Sequence, residues 1–331
     1  MRSIRPSVFQ RWALITVGIL LLTGCAASPE TANTTAPQGY PVTVENCGAE
    51  VTFEAPPERL VLLKSAPVPA LHALGVLDRA VARAGAFPEE YFDEPTLEEL
   101  EAIPQLASDV DATGHLHISK DIVIAQNPDV VFGEVENLPR QSLAASAIPL
   151  LEEPALCATG ADQSPDFEAV YHQVEVYGTV FNKQAAARTI VEDLEDRVAA
   201  ARAQTPTDEQ RTAAVLYPTV GGGTTYAYGT GSMAHAQLEA AGLTNVFAGT
   251  SERVFEVSSE QLLGYDPDII ILLHSEGDPQ AVEESLHSLP GAETLTAVQK
   301  DQVMTQLLNF AEPATPLAVT GLENIVERFH L

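Results

Sequence analysis

Basic residues are scarce in this chain: 17 Lys and Arg stand against 46 Asp and Glu, a formal net charge of −29. Such a surplus of negative charge argues against nucleic acid and against direct adsorption to anionic lipid headgroups, since either would set like charge against like. It favours solubility and, weakly, a neutral or cationic ligand. Tryptophan occurs once, as Trp12, and the only cysteines are Cys25, Cys47 and Cys157. None sits in a CxxC or beside a spaced histidine pair, which argues against a zinc site. The GxSxG elbow, the HExxH helix and the GxxxxGK[ST] phosphate loop are all missing. "GTGSM" around Ser232 lacks the second glycine of an elbow, and Gly221-Gly222-Gly223 reads as a loop. The sequence therefore carries no catalytic residue, resident metal or cofactor that we would name.

Long apolar runs are also absent, with one exception. "WALITVGILLL" (Trp12 to Leu22) follows Arg2, Arg5 and Arg11. It is short for a membrane span and right for the core of a signal peptide. The run ends in "LTGC", whose small residues precede Cys25 as in a bacterial lipobox. On that resemblance residues 1–24 are a lipoprotein signal peptide and Cys25 is the acylated first residue of the mature chain. The alternatives are a plain secretory signal and an uncleaved anchor helix. Residues 25–40, "CAASPETANTTAPQGY", hold no large apolar side chain before Tyr40 and read as a disordered tether with a reach of roughly 20 Å. In an oxidising compartment Cys47 and Cys157 suggest one disulfide, which would close a loop of about 110 residues; two buried free thiols are the alternative.

The remainder is long enough for two lobes. "YPVTVENCGAEVTFEAPP" alternates on both sides of Asn46-Cys47-Gly48 and reads as a β-hairpin. Strands at "RLVLL", "AVARAG" and "DVVFG" then alternate with helical patterns, implying a parallel sheet covered on both faces. From Asp166 to Gln204 the pattern is wholly helical, with apolar Ile190, Val191, Leu194 and Val198 at helical spacing. Strands resume at "TAAVLYP" and end at "QVMTQL", before a C-terminal helix through "TGLENIVERF". The fold class expected is α/β: two Rossmann-like lobes with parallel-rich central sheets, residues 41–160 and 206–331, joined by a helical segment over 161–205.

Two segments repeat. "DIVIAQNPDVVF" from Asp121 and "EQLLGYDPDIII" from Glu260 each start on an acid, run through a short apolar helix to Pro-Asp, and enter a β-branched strand. Ser119 and Ser258-Ser259 are N-cap candidates, and acids in a first turn suit the helix dipole, so helix-start chemistry alone explains much of the pattern. Taken with "VTVENCGAEVTF", "APPERLVLL", "ALGVLDRAV", "GTGSMAHAQLEAAGLTNVF" and "LPGAETLTAVQKDQVMTQL", however, the order of segments resembles the substrate-binding lipoproteins of ABC importers for ferric siderophores, haem and cobalamin. The resemblance covers nearly all of the chain beyond the tether.

That resemblance implies two α/β lobes joined by a long interlobe helix, with the ligand held between them. It implies a monomer held by its lipid anchor on the outer face of the cytoplasmic membrane or in the periplasm. Its partner is then an ABC permease dimer with a cytoplasmic ATPase, and Asp121 and Glu260 are the acids that dock on permease arginines. Asp121 stands where glutamate is usual and reaches less far.

Ligands in such lobes meet loops at the carboxyl ends of strands. On that rule the ligand-binding candidates are Ser65, Arg83, His115, Glu134, Tyr217, Tyr226, Tyr228, His274, Asn309 and Phe310. His115 lies in a loop facing the cleft on the resemblance, and otherwise in a solvated turn. Tyr226 and Tyr228 share a strand face, which is either core or a platform for a flat ligand. Arg83 either pairs with an anionic group or lies on the surface. Lys64 and Arg83 are the main cations expected at the cleft, too few for a strongly anionic tris-catecholate, so the ligand expected is a hydroxamate-type ferric siderophore. Haem and cobalamin are the alternatives within the family. A Zn²⁺ or Mn²⁺ carrier using His115, His117, His235 and His274 is the alternative outside it, although the chain has no His-rich loop.

Overall fold

The computed structural model describes residues 37–108, 116–154, 156–157, 164–205, 210–275 and 277–329. The segment read as a signal peptide, Cys25 and the part of the expected tether up to residue 36 lie outside the described residues, as does His115. No helix among the described residues is long and apolar enough to cross a membrane.

The described residues open with the expected antiparallel hairpin, β1 (Val42–Asn46) and β2 (Ala49–Phe53). Five parallel strands follow: β3 (Leu60–Leu62), β4 (Ala80–Ala84), β5 (Gln105–Ala107), β6 (Val130–Phe132) and β7 (Leu150–Leu151). They lie in the order β5-β4-β3-β6-β7. The second sheet contains β8 (Thr212–Pro218), β9 (Thr225–Tyr228), β10 (Thr244–Asn245), β11 (Val254–Val257), β12 (Ile269–His274) and β13 (Val303–Leu307). Its order is β11-β9-β8-β12-β13, with β10 also on β8.

The two sheets differ in one respect that the sequence reading does not anticipate. β9 and β11 run antiparallel at one edge of the second sheet, and Val254–Val257 was not expected to be a strand. The cause is the connection after β8. Thr219 closes a tight glycine-rich turn, donating both its N–H and its hydroxyl to the Thr224 carbonyl, and a turn that short joins only antiparallel neighbours. β5 was likewise not anticipated, being three residues of mixed polarity.

Period-two alternation places most of the strands' buried side chains in three clusters. Leu60, Leu62, Val130 and Phe132 of the first sheet, and Val215, Ile269, Ile271 and Leu273 of the second, belong to one continuous core. The intervening residues cover the opposite faces: Val61 and Val131 in one cluster, Leu216, Ile270 and Leu272 in another. Helices complete the shared core, among them Phe167–Val180, Gln184–Gln204 and the C-terminal Pro316–Phe329. Asp166 caps the first, accepting from the Glu168 N–H at 3.0 Å. The 21-residue second helix leads from the first sheet into β8 and is the long connecting helix expected. Each fully buried Leu or Ile here contributes about 1.5–3 kcal/mol, so burying both faces of each sheet is the main stabilising term.

Cys47 and Cys157 are bridged, with Cα atoms 5.2 Å apart, tying the hairpin to the segment after β7. Beside the bridge the Asn46 side chain donates to the Glu152 carbonyl and accepts from the Glu152 N–H, both at 2.8 Å. The hairpin is thus fastened to the end of β7 by covalent and polar contacts together.

Candidate functional site

The carboxyl ends of the strands from both sheets converge. Ser65 follows β3, the Gly85–Pro88 loop follows β4, and Glu134 follows β6; Ser275 follows β12 and Asn309 follows β13. Between them lies a cleft with two chambers, of about 350 Å³ and about 650 Å³, which share Gly85, Ala86 and Pro88 as wall. Contacts between the two sheets' loops cross the cleft. The Asn309 side chain donates to Ser65 Oγ at 3.0 Å, and the Asn309 N–H donates to the Tyr91 hydroxyl at 3.0 Å. Tyr91 also meets the edge of Phe310, ring centroids 5.2 Å apart.

The smaller chamber has two cations, and a buried carboxylate stands behind each. Lys64 Nζ donates to Glu152 Oε2 at 2.6 Å, and that oxygen also accepts from the Glu134 N–H at 2.7 Å. Gly133 permits this approach: its φ is +93°, and a Cβ there would lie 2.8 Å from Lys64 Cγ. Arg253, in the bend before β11, has Nη1 3.6 Å from Glu312 Oε2. The Glu312 side chain is 1% exposed, and Oε2 has no hydrogen bond. Burial pushes its carboxyl up to about 7, with Arg253 opposing the rise. Next to Glu152, Glu153 is fully buried and accepts a hydrogen bond from the Tyr177 hydroxyl; burial pushes its carboxyl up to about 8.

Both acids bind their protons more tightly in the folded protein than in the unfolded chain, where the value is near 4.5. Their contribution to stability is therefore complete below about pH 4.5 and is lost as the pH rises through 7 and 8. For Glu312 the loss is on the order of 3 kcal/mol. We expect urea midpoints of the wild-type protein to fall between pH 5 and pH 8.5, and Glu153→Gln and Glu312→Gln each to flatten that slope. A variant slope identical to wild type would show that the acid is ionised at every pH in the fold.

The candidates read from the sequence divide into three sets. Ser65, Glu134 and Asn309 line the smaller chamber, and Ser65 and Asn309 touch each other. Arg83, His274 and Phe310 line the larger, with the Arg83 guanidinium 5.1 Å from the Phe87 ring centroid. Tyr217, Tyr226 and Tyr228 are not among the residues lining either chamber. The Tyr217 hydroxyl stands behind the smaller one, 3.0 Å from Ser275 Oγ. Tyr228 is 4% exposed and belongs to the core, because its strand is enclosed between β8 and β11. Tyr226 is half-buried opposite Tyr217.

Sequence reasoning missed Tyr91, Arg253, Glu312 and Gln306. Tyr91 and Glu312 left no local signal. Gln306 did: a glutamine inside the apolar strand "QVMTQL" is out of pattern, and it is 6% exposed.

Asp121 and Glu260 are both exposed, each in the first turn of a short helix (Lys120–Ile124 and Ser259–Tyr265). Ser119 caps the first, accepting from the Asp121 N–H, and Ser258 forms a capping box with Gln261 on the second. Each helix also exposes a large apolar side chain, Ile122 at 45% and Tyr265 at 53%.

A family model described as periplasmic binding protein matches residues 60–306. Among solved structures, the chain is 51% identical to the ABC-type Fe3+-hydroxamate transport system of Saccharomonospora viridis. That match covers 88% of this chain and 99% of the other, with a TM-score of 0.83. The fold is shared at 15% identity with the periplasmic haem-binding protein HutB of Vibrio cholerae (TM-score 0.64, 82% of this chain and 99% of that one). It is also shared at 20% identity with the periplasmic vitamin B12-binding protein BtuF of the same species (TM-score 0.60, 82% and 96%). No curated protein matches the chain.

Proposed function

Because the chain belongs to the periplasmic binding protein family, we propose that it captures a ferric siderophore of hydroxamate type in this cleft and delivers it to an ABC permease. The observation that carries the choice of ligand is the 51% identity, over 88% of the chain, to a structure from an Fe3+-hydroxamate system. The electrostatics of the smaller chamber support it. Lys64 is paired with buried Glu152 and Arg253 faces buried Glu312, while Glu134 and Glu136 add further acid. A wall with no surplus of positive charge suits a near-neutral chelate better than a tris-catecholate, whose several negative charges would meet little uncompensated positive charge.

The reading includes an N-terminal lobe over 41–160, a helical segment over 161–205 and a C-terminal lobe over 206–331, closing on the ligand from both sides. It also includes an extracytoplasmic monomer acylated at Cys25. Metabolic labelling with palmitate should mark the wild type and not Cys25→Ala; equal labelling of both would remove the anchor from the proposal.

Calorimetric titration with ferric hydroxamates, ferric catecholates, haem, cobalamin and free Zn²⁺ tests the ligand. Micromolar or tighter binding of a hydroxamate alone is the expected result. Binding confined to catecholates would overturn the ligand class, and tight binding of bare Zn²⁺ would move the protein to metal-ion carriage.

For docking, Asp121 and Glu260 supply one exposed acid from each half of the chain, each on a helix with an exposed apolar residue. An exposed ion pair is worth only about 0–1 kcal/mol, so the pair sets register more than affinity. Reversing the charge replaces attraction with repulsion. Asp121→Lys combined with Glu260→Lys should reduce ligand uptake by about tenfold or more, with ligand affinity unchanged. Undiminished uptake would assign docking to another surface.

A further inference from the structure

The larger chamber contains a polar group that the fold itself leaves unsatisfied. Gln306 is 6% exposed, yet neither its side-chain nitrogen nor its oxygen has a hydrogen-bond partner. It lies on β13 beside Leu273 of β12, a fully buried neighbour, so the strand register holds it inside. Burying a carboxamide in this state is unfavourable unless something in the chamber completes its bonds.

From this juxtaposition we propose that the larger chamber is a subsite for an uncharged, amide-bearing arm of the ligand, recognised by Gln306. The inference rests on the reading of the cleft as a hydroxamate-chelate site and adds what lies beyond the iron centre. A carboxamide presents a donor and an acceptor side by side; a trans secondary amide points its N–H and C=O in opposite directions and answers only one of them. An arm with successive amides, one offering C=O and the other N–H, completes both. A carboxylate or an ammonium group would satisfy only one of the two. A second carboxamide, Asn324, lines the same chamber, and Phe87 and Phe310 supply apolar wall for an alkyl or peptide chain. The chambers share the Gly85–Pro88 loop, so a chelate seated in the smaller one can extend an arm past that loop into the larger.

The test compares an amide-linked ferric trihydroxamate with an analogue carrying methylene chains in place of the amides around the same iron centre. Both are titrated against the wild-type protein and Gln306→Met, which keeps the volume and removes the polar atoms. The variant should lose about tenfold in affinity for the amide-linked chelate and less than about twofold for the analogue. Its melting temperature without ligand should equal or exceed that of the wild type, because the unpaired amide is gone. Two results overturn the inference alone: equal changes for the two chelates, which leave Gln306 to bound water only, or a fall of several degrees in the melting temperature of unliganded Gln306→Met. Failure of the wild type to bind either chelate overturns the hydroxamate reading and this inference with it.

Discussion

Gly321→Ala is expected to destabilise the protein by about 3–5 kcal/mol and to disorganise the cleft. Glycine to alanine inside a helix ordinarily gains up to about 1 kcal/mol, so the sign alone is diagnostic. Gly321 lies in the C-terminal helix, and an added Cβ would stand 1.7 Å from the Phe310 carbonyl oxygen and 2.8 Å from Gln237 Nε2. Gln237 Nε2 donates to that same carbonyl and to the Ala318 carbonyl, each at 2.6 Å. The helix cannot back away, because Leu317, Leu322, Ile325, Val326 and Phe329 are buried around it. The loop bearing Asn309 and Phe310 must move instead, and with it the contacts to Ser65 and Tyr91 that cross the cleft. Urea unfolding with an unchanged m-value would report the stability loss, and chelate titration the effect on the site. A loss below about 1 kcal/mol would mean that the loop gives way freely and does not fix the cleft.

Replacing Cys47 and Cys157 together by serine should cost about 4–5 kcal/mol, the chain-entropy value for a loop of this length. The bridge spans a sequence separation of 110 residues. Its effect should extend to binding as well. The segment it fastens carries Glu152, which holds Lys64 and the Glu134 N–H, and Leu156, which lines the smaller chamber. Asn46 retains its hydrogen bonds to Glu152 in the serine variant, so local order at β7 should survive in part. Unfolding curves of wild type with and without reductant, beside the double variant, measure the effect. A difference below about 1 kcal/mol would show that the unfolded chain is already compact around this loop.

Part of the cleft wall could be anticipated from the sequence, because loops after predicted strands are where ligands meet α/β lobes. Ser65, Arg83, Glu134, His274, Asn309 and Phe310 were found by that rule, and all line the cleft. The rule fails for β9. Tyr226 and Tyr228 were placed by their spacing, but spacing cannot say which face of a strand the core takes when two further strands enclose it. Tyr91 was out of reach for a different reason. Its role comes from a partner 218 residues away, Asn309, and no local pattern encodes such a pair.

The sequence by itself determined the order of elements, the parallel-rich α/β class, the paired caps at Ser119 and Ser258 and the family resemblance. These follow from periodicity, capping chemistry and short-range turn signals, which act over a few residues. Only the tertiary structure decided that Glu312 stands behind Arg253, that Gln306 is buried without a partner and that Gly321 has no room for a methyl group. Each of those facts depends on how densely distant segments pack, and packing is a property of three-dimensional neighbours that a linear pattern does not contain.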